Sequence, residues 1–170
     1  MTCVMEIDTN GKVIHADIGS AVIQVKRRCN YTEVRKALAE GIVPDDLCSF
    51  MPMLRDLRDL SQILKDMRIR RGAIDFDFPE YKIILDTEGK PLRLEKRERS
   101  ISEQMVEESM LIANETVAAY LRSSENPSVY RIHAVPEQER IETLRTVLAS
   151  FDLPTPQTDD IVPRDFQKLL

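Results

Sequence analysis

Residues 100–122 read SISEQMVEESMLIANETVAAYLR, and this stretch carries the clearest helix start in the chain. Ser100 and Glu103 form an S-x-x-E capping box, in which each side chain accepts a backbone N–H that the first turn would otherwise leave unpaired. One apolar line then recurs at three- and four-residue spacing: Val106, Met110, Ala113, Val117 and Leu121. Glu107 lies on the adjacent face, so its carboxylate is either solvated or directed into a cleft.

A second long helix is predicted for residues 51–70. Its apolar stripe is most simply core and comprises Met53, Leu54, Leu57, Leu60, Leu64 and Met67. Positive charge at the end of this helix suits the macrodipole, and Gly72 then ends it. Further helices are predicted for residues 32–40 and 137–151, with a last helical turn after Pro163.

The remaining ordered stretches predict antiparallel ribbons. Residues 2–8 form a strand, Asn10-Gly11 supplies a turn with two positive φ angles, and a second strand runs through residues 12–25. Residues 73–78, 81–85 and 91–94 predict a second ribbon or meander, and residues 129–134 a short strand. The fold class is therefore α+β, with antiparallel β-ribbons packed against several helices, and not a doubly wound sheet.

Composition indicates one ordinary globular domain. The chain has 170 residues, 42% hydrophobic content and a formal net charge of −5, which argues against a surface that grips nucleic acid non-specifically but allows a local basic channel. Cys3, Cys29 and Cys48 are widely spaced and favour a reduced, cytoplasmic setting. The sequence shows neither a signal peptide nor the ~18 apolar residues of a membrane span.

Local motifs point to no particular chemistry. The five glycines do not form a phosphate-binding loop, and His15 and His133 lack a ligand partner at helical spacing. The paired aspartates at 75 and 77 and at 159 and 160 are more simply solvated than metal-bound. From pattern alone, Phe76 and Phe78 favour a place in the core over stacking on a base.

Four segments, taken together and in order, are distinctive. They are Arg70-Arg71-Gly72-Ala73-Ile74-Asp75-Phe76, Tyr81-Lys82-Ile83-Ile84-Leu85-Asp86, Glu107-Glu108-Ser109-Met110-Leu111-Ile112-Ala113-Asn114-Glu115 and Tyr130-Arg131-Ile132-His133, the last followed by Pro136. With residues 2–8 and 30–34, they resemble the RNB-domain exoribonucleases, the ribonuclease II and R family. The resemblance covers essentially the whole chain, so we identify a part of an RNB catalytic domain at residues 1–170.

The resemblance implies a 3′→5′ exoribonuclease that threads single-stranded RNA into a channel and releases nucleoside 5′-monophosphates with the help of Mg²⁺. It also implies roles for three residues. Phe76 matches an aromatic residue that stacks on the 3′-terminal bases, a contact that tolerates any base. Tyr31 and Glu107 match residues that line the 3′ end, where hydrogen bonds to ribose hydroxyls distinguish RNA from DNA.

Two parts of the family pattern have no match in these residues: an upstream aspartate cluster that holds magnesium, and a downstream arginine that stabilises charge on the phosphate. We therefore expect the chain to carry no catalytic residue and no magnesium ligand, to be inactive alone, and to pair with the remainder of the domain. Exposed apolar surface is expected where that remainder docks. The alternative is a non-catalytic RNA- or protein-interaction module from a truncated or split gene.

Overall fold

The structure is a computed structural model that describes residues 1–74, 78–97, 99–124, 127–132, 134–155 and 162–167. The strands are β1 (Thr2–Ile7), β2 (Val13–Gly19), β3 (Glu80–Leu85) and β4 (Pro91–Arg97). The α-helices are α1 (Tyr31–Arg35), α2 (Met51–Arg71), α3 (Ile101–Ser123), α4 (Gln138–Ser150) and α5 (Pro163–Gln167). A π-helical stretch, Lys36–Glu40, continues α1, and a 3₁₀ stretch, Asp45–Phe50, leads into α2.

The strands form two separate antiparallel ribbons, β1 with β2 and β3 with β4. Each ribbon has only two strands, and a ribbon of that size requires packing against helices for stability. The prediction of an α+β fold with antiparallel ribbons on helices is confirmed. No helix within the described ranges is long and apolar enough to cross a bilayer.

Helix α3 begins as predicted, because the Glu103 carboxylate accepts the backbone N–H of Ser100 at 3.1 Å. The predicted apolar line does not form its buried face, since Val106 is 49% exposed and Met110 is 55% exposed. The face that is buried carries Ser102, Met105, Glu108 and Ile112. The reason is a paired charge: Glu108 is buried against an arginine of α2, which rotates the helix away from the purely apolar line.

That charge pair joins the two long helices. The Arg68 guanidinium donates to both Glu108 oxygens, at 2.8 and 3.0 Å, and the Glu108 side chain is 1% exposed. A bidentate arginine–carboxylate pair has both strength and a fixed geometry. A second, exposed pair between Arg71 and Glu115 lies further along the interface between α2 and α3, which we call the α2–α3 seam. The two pairs set the register of α2 against α3.

The main core lies at the N-terminal ends of α2 and α3. Its buried members are Val34, Ala37, Leu47, Met51, Leu54 and Met105, and Leu38, Val43, Phe50, Leu57 and Ile101 pack around them. Met53, predicted in the stripe of α2, is 56% exposed instead. The helix turns its Met51–Leu54–Leu64 side inward, and Met53 lies outside that side.

The β1–β2 turn differs in type from the predicted two-residue turn. Gly11 has a φ of 84°, but Asn10 does not have a positive φ. The Asp8 carboxylate closes the turn by accepting the N–H groups of Asn10 and Lys12 at 2.9 and 2.8 Å. A Cβ at Gly11 would come within 2.8 Å of the Met67 Cβ, so the missing side chain lets the ribbon approach α2.

Two predicted strand segments, residues 20–25 and 129–132, are wrong in the described residues, and so is the predicted core position of Phe78. The β1–β2 pairing reaches Gly19, which lies opposite Thr2; residues 20–30 have no regular structure, and Val22 is fully exposed. Residues 129–132 also form no strand. Phe78 is exposed and not in the core. Residues 75–77 of the predicted strand at 73–78 lie outside the described residues.

The short helix α5 covers the C-terminal end of α2. Arg164 donates to the Arg70 carbonyl oxygen, and Gln167 donates to the carbonyl oxygens of Ile69 and Ala73 at 3.0 and 3.2 Å. Gly72 ends α2 with a φ of 105°, as predicted, and a Cβ there would meet Arg164 at 2.9 Å. These contacts satisfy carbonyl groups that a helix end leaves without partners.

The buried pair of Arg68 and Glu108 leads to a prediction about stability. Glu108→Gln removes the buried negative charge that accepts both hydrogen bonds from the Arg68 guanidinium, so we expect the free energy of unfolding to fall by about 3–5 kcal/mol. The matched change Glu115→Gln breaks an exposed pair and should cost about 0–1 kcal/mol. Urea unfolding followed by circular dichroism measures both. Equal losses of unfolding free energy would contradict the claim that the buried Arg68–Glu108 pair stabilises the α2–α3 interface more than the exposed pair does.

Candidate functional site

Tyr31 is the first residue of α1, directly after the helix cap. Asn30 Oδ1 accepts the Glu33 N–H at 3.0 Å, and Glu33 Oε1 accepts the Asn30 N–H at 3.0 Å. This reciprocal capping box fixes the backbone on both sides of Tyr31. The Tyr31 side chain is 45% exposed, so its ring and hydroxyl are accessible from solvent.

Arg27 holds this helix start in place. Its guanidinium donates to Glu33 Oε1 at 2.6 Å and to both oxygens of Asp46, at 2.9 and 3.1 Å. Hydrogen bonds from Arg27, followed by the backbone N–H of Asn30, lower the pKa of Glu33, and hydrogen bonds from Arg27 likewise lower the pKa of Asp46. Those two carboxylates raise the pKa of Arg27. The irregular segment before α1 is thereby tied to the 3₁₀ stretch at residues 45–50.

A polar cavity opens beside Tyr31. It has a volume of about 260 Å³ and is lined by Tyr31, Thr32, Arg35, Lys96, Ser100 and Glu103. We call it the Tyr31 cavity. Ser102 Oγ donates to the Tyr31 carbonyl oxygen at 3.0 Å, which joins α1 to the first turn of α3. The cavity thus lies where α1, β4 and the start of α3 meet.

Glu107 lies one helical turn after Glu103 on the same side of α3. Its carboxylate accepts from Arg99 Nη2 at 2.7 Å, and both side chains are more than a third exposed. An ion pair this exposed contributes only about 0–1 kcal/mol. Glu107 therefore exchanges Arg99 for another hydrogen-bond donor at little cost.

Tyr31, the first residue of α1, is bound through its carbonyl oxygen to Ser102 in the first turn of α3, whereas Glu107 lies five residues further along α3 and is not part of the lining of the Tyr31 cavity. Phe76 lies outside the described residues, as do Asp75 and Asp77. What the structure does describe is the chain just before them, where Gly72 and Ala73 are held by Arg164 and Gln167.

Three residues near Tyr31 were not predicted from the sequence: Arg27, Arg35 and Lys96. The N-x-x-E spacing of Asn30 and Glu33 is a helix-start signal of the same kind as Ser100 and Glu103, and it could have fixed the start of α1 at Tyr31. Arg27, Arg35 and Lys96 have no such local signal. Arg27 is positioned by Glu33 and Asp46, and Arg35 and Lys96 come together only where α1, β4 and α3 meet.

A larger apolar groove lies on another part of the molecule, between β2 and the C-terminal half of α3. Its volume is about 730 Å³, and its lining includes Ile14, Ile18, Ile112 and Tyr120. We call it the β2–α3 groove. An open apolar surface of this kind is the sort that other polypeptide covers.

The described residues do not fit a magnesium site. No group of three or more His, Cys, Asp or Glu side chains converges within them. His15 pairs only with Asp17, at 3.3 Å, on an exposed strand. His133, Asp159 and Asp160 lie outside the described ranges. Mg²⁺ requires near-octahedral oxygen ligands, and the described residues do not supply such a set.

A sequence model of the RNB domain matches residues 1–170. The chain therefore belongs to the RNB domain family, and the resemblance found in the sequence motifs is confirmed.

Within that family the chain is similar to ribonuclease R. It is 37% identical over 153 residues to "Ribonuclease R 1" of Lactococcus lactis, which covers 89% of this chain and 19% of that protein. It is 34% identical to "Ribonuclease R" of Thermotoga maritima, over 100% of this chain and 24% of that protein. The chain thus spans about a fifth to a quarter of the length of these relatives.

Solved structures agree with this similarity. The RNase R of Mycoplasma genitalium, solved in complex with ribose-methylated single-stranded RNA, superposes with a TM-score of 0.90 at 25% identity. The match covers 96% of this chain and 26% of that one. The same protein in complex with double-stranded RNA gives a TM-score of 0.88 at 26% identity. The arrangement of helices and ribbons is therefore that of ribonuclease R.

The Arg27 cluster gives a pH prediction. Folding lowers the pKa values of Glu33 and Asp46 from ordinary values of 4.5 and 3.8, so Arg27 stabilises the fold fully above those values. That contribution begins to be lost as the pH falls below 4.5, the ordinary pKa of Glu33, and below 3.8 for Asp46, and the loss continues as the pH falls through their lowered pKa values. Arg27→Gln should therefore lower the urea midpoint at neutral pH, and the gap to the unmodified chain should narrow towards about pH 3.

Arg93→Gln is the matched control, because Arg93 forms an exposed pair with Glu95 on β4. Its urea midpoint should follow that of the unmodified chain at both pH values. A gap for Arg27→Gln that stays constant with pH would contradict the role of the two carboxylates.

Proposed function

We propose that this chain is the RNA-contacting part of a 3′→5′ exoribonuclease that degrades single-stranded RNA to nucleoside 5′-monophosphates. The observation that carries the proposal is the TM-score of 0.90, over 96% of the chain, to a ribonuclease R bound to single-stranded RNA. Membership of the RNB domain family across residues 1–170 supports it. Three free cysteines in the chain fit a reducing, cytoplasmic setting.

In this proposal Tyr31 and Glu107 contact the ribose hydroxyls at the RNA 3′ end. The 2′-hydroxyl both donates and accepts hydrogen bonds, which makes it the group that distinguishes RNA from DNA. The Tyr31 phenol also donates and accepts, while the Glu107 carboxylate accepts. Both are exposed to solvent and neither is fixed by a buried partner, so both are available to an incoming strand.

Phe76 supplies the third contact in the proposal, by stacking on a base near the 3′ end. Stacking contributes ~1–3 kcal/mol per base and accepts every base, which suits a nuclease that moves along any sequence. The sequence resemblance supports this role. Its test is Phe76→Leu, which keeps an apolar side chain but removes the aromatic face.

We propose that the 170 residues bind RNA without cleaving it. The magnesium ligands and the charge-stabilising arginine would come from the remainder of an RNB domain. The fraction of ribonuclease R that the chain spans, 19% to 24% in two relatives, supports this division. Nucleoside monophosphates released from single-stranded RNA and Mg²⁺, above those of a mock purification, would contradict it.

A second candidate function is a non-catalytic interaction module that binds polypeptide. The β2–α3 groove favours it, because its floor is apolar and open. The two candidates use different surfaces, since Tyr31 lies in the Tyr31 cavity and Tyr120 lies in the groove. Variants of these two tyrosines therefore separate them.

Tyr31→Phe should weaken binding to a single-stranded oligoribonucleotide. Loss of one hydrogen bond weakens the binding free energy by about 0.5–1.5 kcal/mol, which is roughly a 2- to 10-fold rise in Kd. Affinity for the DNA oligonucleotide of the same sequence should not change, because it lacks the 2′-hydroxyl. Fluorescence anisotropy with labelled strands measures both.

Tyr120→Phe is the matched control, since it removes the same atom from another half-exposed tyrosine. It should bind RNA like the unmodified chain. An equal loss of DNA and RNA binding in Tyr31→Phe, or a loss in Tyr120→Phe alone, would refute the proposed role of Tyr31.

A further inference from the structure

We propose that the Tyr31 cavity is a phosphate subsite, in which Lys96 and Arg35 bind a phosphodiester group of the RNA strand next to the ribose at Tyr31. This inference rests on the proposed function and adds residues that bind the backbone of the strand. Its basis is the charge and hydrogen-bonding capacity of the cavity lining.

The cavity suits an anion of phosphate size. Its volume of about 260 Å³ is several times the ~30 Å³ that one water molecule takes up in the liquid. Every side chain in its lining carries a polar group, and two of the six are cationic. Phosphate oxygens accept hydrogen bonds from ammonium, guanidinium and hydroxyl groups alike, so this lining matches their needs.

Lys96 is the cation most available to such a ligand. It lies on β4 opposite Tyr81 and is exposed, and its ammonium group has no carboxylate partner among the residues that the structure describes. Arg35 uses one nitrogen to bind Glu40 at 2.6 Å. A guanidinium has five N–H donors, so Arg35 retains others for a second acceptor.

Glu103, the one acidic group in the lining, is already engaged. Its Oε2 accepts the Ser100 N–H at 3.1 Å, and it also accepts the hydroxyl group of Ser100. Burial opposes its ionisation, but these hydrogen bonds prevail and lower the pKa of Glu103. Its carboxylate is thus already hydrogen-bonded at the start of α3. With Lys96 and Arg35 positive and Glu103 negative, the lining has a net charge of plus one.

Local charge matters more here because the whole chain is acidic. A net charge of −5 repels a polyanion at long range, so affinity for RNA must come from specific cations. Many other arginines are held by carboxylates, as Arg27 is by Glu33 and Asp46 and Arg68 is by Glu108. The Tyr31 cavity is where cationic capacity and the proposed ribose contact coincide.

The test is the salt dependence of RNA binding by the 170-residue chain. For a single strand, log Kd changes with log salt with a slope of about 0.7 for each phosphate that is neutralised. Lys96→Gln should therefore lower the slope by about 0.7 relative to the unmodified chain. Lys96→Arg should restore it, since the charge returns.

Lys82→Gln is the matched control. Lys82 lies opposite Glu95 on the same ribbon, one position from the Tyr81–Lys96 pair, so its side chain projects from the other face. It removes the same charge, and its salt slope should equal that of the unmodified chain. Circular dichroism melts confirm that both variants fold.

Two results would overturn the inference in different ways. Equal slopes for Lys96→Gln and Lys82→Gln, with RNA binding intact, would refute the phosphate subsite and leave the proposed function standing. Absence of RNA binding by the unmodified chain at low salt would refute the proposed function and the subsite together.

Discussion

The bidentate pair of Arg68 and Glu108 is the constraint on which the arrangement of this protein depends. It lies between the two longest helices, and its two parallel hydrogen bonds join Arg68 of α2 to Glu108 of α3 in one fixed geometry. From that geometry follow the positions of Ser102, which holds the Tyr31 carbonyl, and of Glu107 on the next turns of α3. The Arg68–Glu108 pair therefore helps to position the residues that are proposed to contact RNA.

Carboxylates elsewhere serve mainly to hold arginines. Arg27 is tied to Glu33 and Asp46, while Arg71 is tied to Glu115. Bidentate arginines suit such structural pairs because their planar fork matches a carboxylate. Lysine behaves as a point charge on a flexible stem, which suits a contact that forms and breaks as a strand moves. This division explains how an acidic domain of an RNA-degrading family can offer a local cationic site.

Local signals predicted the parts of the fold that local contacts determine. The capping box at Ser100 and the glycine end of α2 were both correct, because each depends on neighbours in the chain. The buried face of α3 was wrong, since Glu108 is buried only through Arg68, 40 residues away. The strand predicted beyond Gly19 was also wrong: residues 21–25 are rich in β-branched side chains, but β-propensity depends on cross-strand neighbours, and the pairing among the described residues stops at Gly19. The Tyr31 cavity joins residues 31–35 with residues 96–103, and no single-segment pattern contains it.

In the proposed function, RNA binds at the surface shared by α1, β4 and the start of α3. An NMR titration of the isotope-labelled chain with a short single-stranded oligoribonucleotide tests this. Amide shifts should centre on Tyr31, Lys96 and Glu107 and leave the β2–α3 groove unchanged. Shifts confined to Ile14, Ile18 and Tyr120, or no shifts at all, would contradict it.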